Sequence, residues 1–437
     1  MPERRTQAMR VFVDPGDYTL GNLGDVAMLQ VALRRLRANW PDAGLDVLVR
    51  DAQLAGPSFH GAEPVPYQGM ADWFAERAVL GSAYDRLAPG LRAGVRGLQR
   101  AARTSWPGLF ETAMRVRTSR SPSTADGVRR FLLAARGATL HVVAGQGTFT
   151  DHARIHAMDV LNLLDLMERR GIPTALLGQG IGPLTDTALR ARMARVFGRA
   201  QFIALREGRF SPGLVAELGI PPERVQVTGD DAIELAFEAR PERPGTDLGV
   251  NLRIARSAGT TDDAIVPVRE ALAGFIRQHG VSSRAVPIAK GPSGDAVAIS
   301  GALAGTGYAG DGGATLLQPI DCIREVGRCR MLVTGAYHAA VFALSQGVPT
   351  ACLAASQYFS DKFDGLRAQF GPGCEVVHVG GDDFTERLTA VMNHLWDDAE
   401  TLRAPLVAAA RTQVESSRAA YERLAQLSSR QTVGAGR

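Results

Sequence analysis

One histidine, His338, stands at the start of an otherwise apolar helical pattern in the run TGAYHAAVFALSQGVP, residues 334–349. The run at 331–334 predicts a strand, and Gly335 breaks it before the helix begins at about His338. At such a junction in an α/β protein, side chains face the crevice outside the carboxyl ends of the strands. His338 is therefore a candidate general acid or base. The alternative is a helix-start histidine that only bonds to a neighbouring carbonyl.

Four glycine-rich loops follow predicted strands in the first half of the chain. Glycine is needed where a backbone turns sharply or approaches a ligand, and the N–H groups exposed at helix starts favour an anion. Each loop alone also fits a packing role, but four at the carboxyl ends of strands indicate a shared anion-binding crevice. The candidate binding residues in these loops are Asn22, Gly24, Asp25, Gln146, Gly147, Gln179, Gly180, Gly182 and Asp230.

A single arginine, Arg206, ends one of these strands in the run IALREGRFS. Its guanidinium could bind an anion, or it could form a structural salt bridge with Glu207 or another acid. Asp230 could cap the helix that follows it. Only two of the 49 basic residues are lysines, Lys290 and Lys362, which is typical of a GC-rich bacterial gene and only weakly indicates a function for either.

Several familiar catalytic motifs are missing from the sequence. It has no GxxxxGK[ST] loop and no GxGxxG at the first strand, which disfavours ATP hydrolysis and nicotinamide redox chemistry. It has no DxD pair and no HExxH helix, so we predict no metal site.

The elements that must position these residues alternate along the chain. Strands that are continuous apolar runs, separated by helices, indicate parallel sheets buried on both faces. We predict an α/β fold of two Rossmann-like domains that face each other across a cleft, at 1–240 and 246–437, joined by a linker at 238–247 that is rich in proline, glycine and charge. The second series includes predicted strands at 284–290 and 314–321, and a helical tail at 383–428 could cross back to the first domain.

Alternation fails between about residues 85 and 130, where apolar residues recur at helical spacing among many arginines. This segment is a basic helical insertion. It is either a solvated surface or a contact surface for a polyanionic or membrane-held acceptor, since basic amphipathic helices settle at anionic interfaces. The arginines are Arg92, Arg96, Arg100, Arg103, Arg115, Arg117 and Arg120.

The composition describes a globular protein with two cores. Of its 437 residues, 45% are hydrophobic and 22% charged, and the net charge of +4 suits an anionic ligand or membrane surface. Aromatic residues make up only 6%, so we predict no nucleic-acid partner. There is no run of eighteen apolar residues, and the first residues lack a signal-peptide pattern, so we expect a cytoplasmic protein. If the insertion binds a membrane, the protein would be in peripheral contact with its inner face. The four cysteines form no CxxC pair and are expected to be buried thiols.

Taken together in order, these motifs resemble those of the polysaccharide pyruvyl transferase family. The resemblance covers nearly the whole chain except the arginine-rich insertion. It rests on GNLGD at 21–25, GQG at 145–147 with Asp151, GQGIGP at 178–183, LRE at 205–207, VTGD at 227–230, and HAAVFALSQGVP at 338–349 followed by Lys362.

The resemblance implies a fold similar to the GT-B glycosyltransferases and transfer of a pyruvyl group from phosphoenolpyruvate to two hydroxyls of an envelope saccharide. Phosphoenolpyruvate is a co-substrate, and no cofactor is implied. His338 would protonate the methylene carbon as a general acid, and Arg206 would hold the donor phosphate. The acceptor would be a saccharide or a lipid-linked saccharide.

One position departs from the family pattern. The family motif has arginine, an apolar residue and histidine where this chain has Ala336, Tyr337 and His338. Either another cation, such as Arg253, Lys290 or Lys362, replaces the missing arginine, or the donor is not phosphoenolpyruvate. Two alternatives therefore stand beside pyruvyl transfer: a glycosyltransferase that binds a nucleotide sugar through Lys290, and a catalytically silent subunit of an envelope-synthesis complex.

Overall fold

A computed structural model describes residues 8–50, 59–119, 121–253, 265–291 and 294–434, with side chains as far as residue 429. Arg120, one of the arginines of the insertion, lies outside these ranges. Within them, no helix combines the length and the apolar character that crossing a bilayer requires.

The first half of the chain forms a parallel sheet of eight described strands. The order is β3-β2-β1-β4-β6-β7-β8, and β5 pairs with β6. The inner strands are largely buried, as the sequence predicts for a sheet covered on both faces, whereas the two edge strands are partly exposed. They are β1 (Arg10–Asp14), β2 (Gly44–Val49), β3 (Glu63–Pro66), β4 (Leu140–Val143), β5 (Gln146–Phe149), β6 (Thr174–Ile181), β7 (Phe202–Leu205) and β8 (Val225–Val227).

Helices cover both faces of this sheet and extend beyond one end of it. The described helices are α1 (Leu23–Asn39), α2 (Tyr67–Phe74), α3 (Pro89–Ser105), α4 (Pro107–Thr118), α5 (Pro122–Gly137), α6 (Arg154–Arg169), α7 (Thr187–Phe197), α8 (Ser211–Glu217) and α9 (Ala232–Glu238). The predicted insertion is helical, but its last helix, α5, buries Phe131 and Leu132 in the core beside the first sheet. Only α3 and α4 are therefore additions to the layered fold.

The second half forms a parallel sheet of five described strands in the order β10-β9-β11-β12-β13. Its strands are β9 (Asp247–Asn251), β10 (Ser283–Ala285), β11 (Cys329–Thr334), β12 (Thr350–Ala354) and β13 (Cys374–His378). Its helices are α10 (Ile265–His279), α11 (Asp295–Ala302), α12 (Pro319–Val326), α13 (Tyr337–Ser345), α14 (Gln357–Phe370), α15 (Phe384–Asp397) and α16 (Ala399–Gly434). All four cysteines are free and buried, as expected.

Two predicted strands of the second half differ in the structure. Residues 314–321 form no strand, because Pro319 occupies the first turn of α12 and Gln318 and Asp321 form a capping box that starts the helix. The strand predicted at 284–290 ends as β10 at Ala285. Residues 288–290 leave the sheet and pair with the first half of the chain, where Ile288 accepts a hydrogen bond from the Leu23 N–H at 2.9 Å.

Helix α16 returns from the second half to the first and packs Tyr421 and Leu424 into its core. A buried polar cluster fixes this crossing. Arg35 on α1 forms ion pairs with Asp231 and with Glu234 on α9. The Tyr421 hydroxyl donates to Asp231 at 2.7 Å. The predicted two-domain α/β architecture is thus confirmed, whereas the domain boundaries at 240 and 246 stay a prediction.

Candidate active site

The carboxyl ends of the two sheets meet at a cleft that encloses a cavity of about 470 Å³. Both halves of the chain contribute to its wall. The first half supplies Asn22, Asp25, Gln146, Gly147 and Arg206, and the second half supplies Arg253, Ala336, Tyr337, His338, Tyr358 and Lys362. The fold therefore brings together most of the residues that the sequence singled out for binding or catalysis, and Gly24 and Asp230 lie against His338 beside them.

The start of α1 closes one side of the cleft against His338. Asn22 caps the helix, and its side-chain oxygen accepts hydrogen bonds from the N–H groups of Gly24 at 2.9 Å and Asp25 at 3.3 Å. Gly24 has no side chain, and a Cβ at this position would lie only 1.9 Å from Cγ of His338. Glycine is thus required here because the backbone of α1 lies directly against the imidazole.

Two carboxylates lie near one nitrogen, Nε2, of the buried His338 imidazole. Its Nε2 lies 3.6 Å from Oδ2 of Asp230 and 4.0 Å from Oδ1 of Asp25. Burial raises the pKa of Asp25 despite the attraction of His338. Burial would also raise the pKa of Asp230, but the His338 imidazole and then the Arg206 guanidinium bring it below its usual value. Asp230 is therefore held as a carboxylate between the histidine and the arginine.

His338 Nε2 and Asp230 Oδ2 both lack a hydrogen-bond partner within the described ranges, although both atoms are buried. A buried polar atom without a partner is costly, and such atoms in native structures mark ligand sites or unplaced water. Asp230 also serves its helix, because Oδ1 accepts a hydrogen bond from the Ala232 N–H at 2.9 Å. The capping role predicted as an alternative for Asp230 is therefore real, and it leaves Oδ2 directed at the cleft.

Arg206 and Lys362 bring two cations over the Gly147 loop. A Cβ on Gly147 would lie 2.8 Å from Nη2 of Arg206 and 3.4 Å from Nζ of Lys362. A Cβ on Gly180 would lie 2.5 Å from Nε of Arg206. Both glycines therefore let the guanidinium lie flat against the sheet edge, as expected where a backbone must approach closely.

The surroundings of these cations favour a bound anion. Burial, and then repulsion from Arg206, lower the pKa of Lys362 well below its usual range. Burial would lower the pKa of Arg206 as well, but Tyr337, Asp230 and other acidic groups raise it. The guanidinium stacks 4.3 Å above the Tyr337 ring, and its Nη1 lies 3.6 Å from Asp230. An anion between the two cations would relieve their repulsion and keep Lys362 protonated.

Glu207 does not pair with Arg206, which answers one question left open by the sequence. Its carboxylate accepts three hydrogen bonds from the N–H groups of Arg209, Phe210 and Ser211 at 2.7, 2.9 and 2.6 Å. Glu207 therefore fixes the start of α8, and the acid that contacts Arg206 is Asp230.

Other predicted site residues have different positions. Gln179 is fully buried, and its amide donates to backbone carbonyls of Ala144 and Leu177, so it holds two strands together. Gly180 and Gly182 line a second cavity of about 370 Å³ that shares Arg206, Lys362 and Tyr337 with the first. The Lys290 N–H donates to the Gly21 carbonyl at 2.9 Å. Among the described residues, the cavity wall does not include the Lys290 side chain.

Two aromatic residues of the site, Tyr337 and Tyr358, were not identified from the sequence. Tyr358 lies one helical turn before Lys362 on α14, and the Lys362 ammonium lies 4.1 Å from the centre of its ring. That spacing of four residues places both side chains on one face of a helix and could have indicated the pair. Among the described residues, no group of three histidine, cysteine or acidic side chains is arranged to hold a metal.

Comparison with solved structures identifies the fold. A UDP-N-acetylglucosamine 2-epimerase described as putative, from Listeria monocytogenes, superposes with a TM-score of 0.56 at 12% identity, over 97% of this chain and 96% of that chain. The UDP-GlcNAc 2-epimerase from Neisseria meningitidis, solved with UDP-GlcNAc bound, gives a TM-score of 0.52 at 10% identity, over 96% and 100%. At such low identity these similarities show the GT-B fold alone.

Sequence comparison identifies the family. No curated protein matches the chain. The model of the family described as polysaccharide pyruvyl transferase matches residues 22–357, which include both walls of the cleft from Asn22 to Tyr337 and His338. The chain therefore belongs to the polysaccharide pyruvyl transferase family, a family of transferases.

Proposed function

We propose that this protein transfers the pyruvyl group of phosphoenolpyruvate to two hydroxyls of one sugar in an envelope or exopolysaccharide precursor and forms a cyclic ketal. The observation that carries the proposal is the position of the unpartnered His338 Nε2 beside the cation pair of Arg206 and Lys362 in one cavity. Phosphoenolpyruvate needs both features, since its enol ester becomes an electrophile only when the methylene carbon is protonated while cations hold its phosphate.

In this mechanism Arg206 and Lys362 bind the donor phosphate above Gly147. His338 donates the proton from Nε2 to C3, which becomes a methyl group, and positive charge develops at C2. Asp230 stabilises the imidazolium before transfer, because its carboxylate lies 3.6 Å away. The first acceptor hydroxyl attacks C2 and loses its proton to Asp25, whose carboxylate lies 4.0 Å from the same nitrogen of His338.

The second hydroxyl of the acceptor then replaces phosphate at C2. The C2–C3 π bond, the C–O bond to phosphate and the two hydroxyl O–H bonds break. Two C–O bonds to the sugar, one C–H bond at the methyl group and one O–H bond on phosphate form. Of the two protons that the hydroxyls release, one balances the proton gained at C3 and the other leaves with inorganic phosphate. The reaction therefore needs no oxidant, reductant or further co-reactant.

Arg253 is our candidate for the charge that the family motif places at the position of Ala336. Arg253 and Ala336 both line the cavity, and the Arg253 backbone nitrogen lies 3.6 Å from where a Cβ of Gly335 would stand. A guanidinium that starts from this strand end can reach the donor carboxylate from the side opposite Arg206. Arg253 would then supply the positive charge that the family motif places at the position of Ala336, so the site would keep that charge.

The acceptor we propose is a saccharide, held in the rest of the cleft, and we extend the proposal to a lipid-linked saccharide at the inner face of the membrane. The nucleotide-sugar alternative has less support, because the Lys290 side chain lies outside the described cavity wall.

Thermal unfolding in the presence of phosphoenolpyruvate tests the donor. A ligand that binds only the folded state must raise the transition temperature. We expect a rise that is lost in Arg206→Ala and kept in Arg195→Ala, a matched control because Arg195 is exposed on α7. His338→Ala should keep the rise but abolish phosphate release with a panel of hexosides. Stabilisation by nucleotide sugars and none by phosphoenolpyruvate would refute pyruvyl transfer.

A further inference from the structure

Polar contacts attach helix α3 to the rest of the protein, whereas a surface helix normally packs through its apolar side. Gln99 donates to the Glu76 carbonyl at 2.9 Å, Arg103 to the Ala75 carbonyl at 2.9 Å, and Arg92 to the Leu87 carbonyl at 2.8 Å. These residues recur at intervals of seven and four, so they share one face of the helix. The face of α3 that meets the first domain is therefore polar.

Several large apolar side chains of α3 and α4 are exposed. On α3, Leu91 and Leu98 are 62% and 65% exposed and lie seven residues apart, on one stripe. On α4, Leu109 and Val116 are 68% and 71% exposed with the same spacing, while Phe110 and Met114 are buried beneath them. Trp106, at the junction of the two helices, is 60% exposed. Large apolar side chains concentrated on an outward surface mark an interaction site.

The charge around this surface specifies an anionic partner. Residues 89–119 contain six arginines and one acidic residue, Glu111. That one acid is neutralised by ion pairs with Arg115 and Arg136. Arg96 also pairs with Glu76, so the surface keeps an excess of positive charge carried by residues such as Arg100. Exposed leucines, a tryptophan at the edge and an excess of arginines over acids are the combination by which amphipathic helices lie in the headgroup region of a bilayer. A protein partner would match this surface only with an apolar patch surrounded by acidic side chains. An anionic bilayer has both features, since its apolar interior lies beneath negatively charged headgroups.

We propose that α3 and α4 form a membrane-docking surface, with Leu91, Leu98, Trp106, Leu109 and Val116 entering the headgroup region of an anionic bilayer and arginines such as Arg100 contacting lipid phosphates. The surface would hold the cleft close to acceptors that are carried on lipids. The inference deepens the proposed function by naming where its acceptor is held, but docking itself requires neither donor nor acceptor.

Flotation of the full-length protein with vesicles tests this surface. We expect binding to vesicles of phosphatidylcholine mixed with phosphatidylglycerol, weaker binding at high salt, and little binding to phosphatidylcholine alone. The double variant Leu91→Ser/Leu98→Ser should bind at least about tenfold more weakly, because two leucine side chains no longer leave water. Arg100→Gln should weaken binding about fivefold.

The matched control is the double variant Val297→Ser/Leu317→Ser, which removes apolar side chains that are 68% and 55% exposed in the second half of the chain. It should bind the vesicles as the parent protein does. Tryptophan emission should shift to the blue when anionic vesicles are added, and the shift should be smaller in Trp106→Phe. In every docking variant the thermal shift with phosphoenolpyruvate should be unchanged, so failure of docking and failure of the donor proposal remain distinguishable.

Three results would overturn the inference. The first is absence of binding to anionic vesicles, and the second is equal loss of binding in the control variant. The third is a protein that does not bind vesicles and whose sedimentation coefficient changes when Leu91 and Leu98 are replaced. That result would show that another copy of the chain covers this face.

Discussion

Replacing Gly24 with alanine should disable His338 from the opposite wall of the cleft. The added methyl carbon would lie 1.9 Å from Cγ and 2.3 Å from Cβ of His338. Rotation of the imidazole about its side-chain bonds cannot relieve a contact with Cβ. Because Gly24 lies on α1 and His338 on α13, the two helices must move apart, and the wall of the cleft must move with them.

The size of the effect follows from ordinary contact distances. Non-bonded carbons are stable at about 3.5–4.0 Å, so His338 must retreat by roughly 1.5 Å. A misplacement of about 1 Å can lower a rate by roughly a hundredfold. Within a helix, alanine is more favourable than glycine by about 1 kcal/mol, which offsets part of an overpacking cost of about 1–3 kcal/mol at this buried position. We therefore expect a folded protein with at least about a hundredfold slower turnover.

The assay is phosphate release from phosphoenolpyruvate with a panel of hexosides, read together with the thermal shift that phosphoenolpyruvate causes. Gly24→Ala should lose most of the turnover and keep most of the shift, because Arg206 and Lys362 lie on other elements. Gly274→Ala is the control, since Gly274 is in helix α10 and a Cβ there would meet no atom within 4 Å. Full turnover in Gly24→Ala would refute the role of His338 as the acid.

Three further substitutions test the electrostatics of the structure. Arg35→Met leaves the buried carboxylate of Asp231 without its cation, whereas Glu234 keeps its ion pairs with Arg34 and Arg418. It should lower the free energy of unfolding by about 3–5 kcal/mol, measured by urea denaturation. Gly147→Ala places a carbon 2.8 Å from Nη2 of Arg206 and 3.4 Å from Nζ of Lys362, and calorimetry should show phosphoenolpyruvate affinity reduced by about tenfold or more. His141 is fully buried, and burial lowers its pKa to about 3. Its folded pKa lies below the unfolded value of about 6.5, so the stability it contributes is complete above pH 6.5 and is lost as the pH falls towards 3. In His141→Leu this loss should be absent, and urea denaturation between pH 7 and 4 should show a shallower fall in stability.

Patterns that depend on local chemistry were predictable from the sequence. The apolar runs of the parallel strands predicted both sheets, and the glycine loops predicted where the crevice lies. The chemistry of enol ester activation, together with the family motif, led to the roles proposed for His338 and Arg206, which stay predictions. Each of these inferences uses residues that are close together in the chain.

Features that depend on contacts between distant segments were not predictable. Residues 288–290 look like strand residues, yet they pair with the start of α1, which is more than 260 positions away in the chain. The apolar stripe of α3 predicted a helix, but not that its polar face would be the one packed against the protein. Tyr358 enters the site, beside the predicted Lys362, because α14 starts at the carboxyl end of β12.

A crystal structure of the protein with phosphoenolpyruvate bound tests the central claim most directly. We expect the phosphate to contact Arg206 and Lys362 beside Gly147, the carboxylate to face Arg253, and the methylene carbon to lie about 3–3.5 Å from Nε2 of His338. Phosphoenolpyruvate bound with its methylene carbon directed away from His338, or a donor site filled only by a nucleotide diphosphate, would contradict the mechanism.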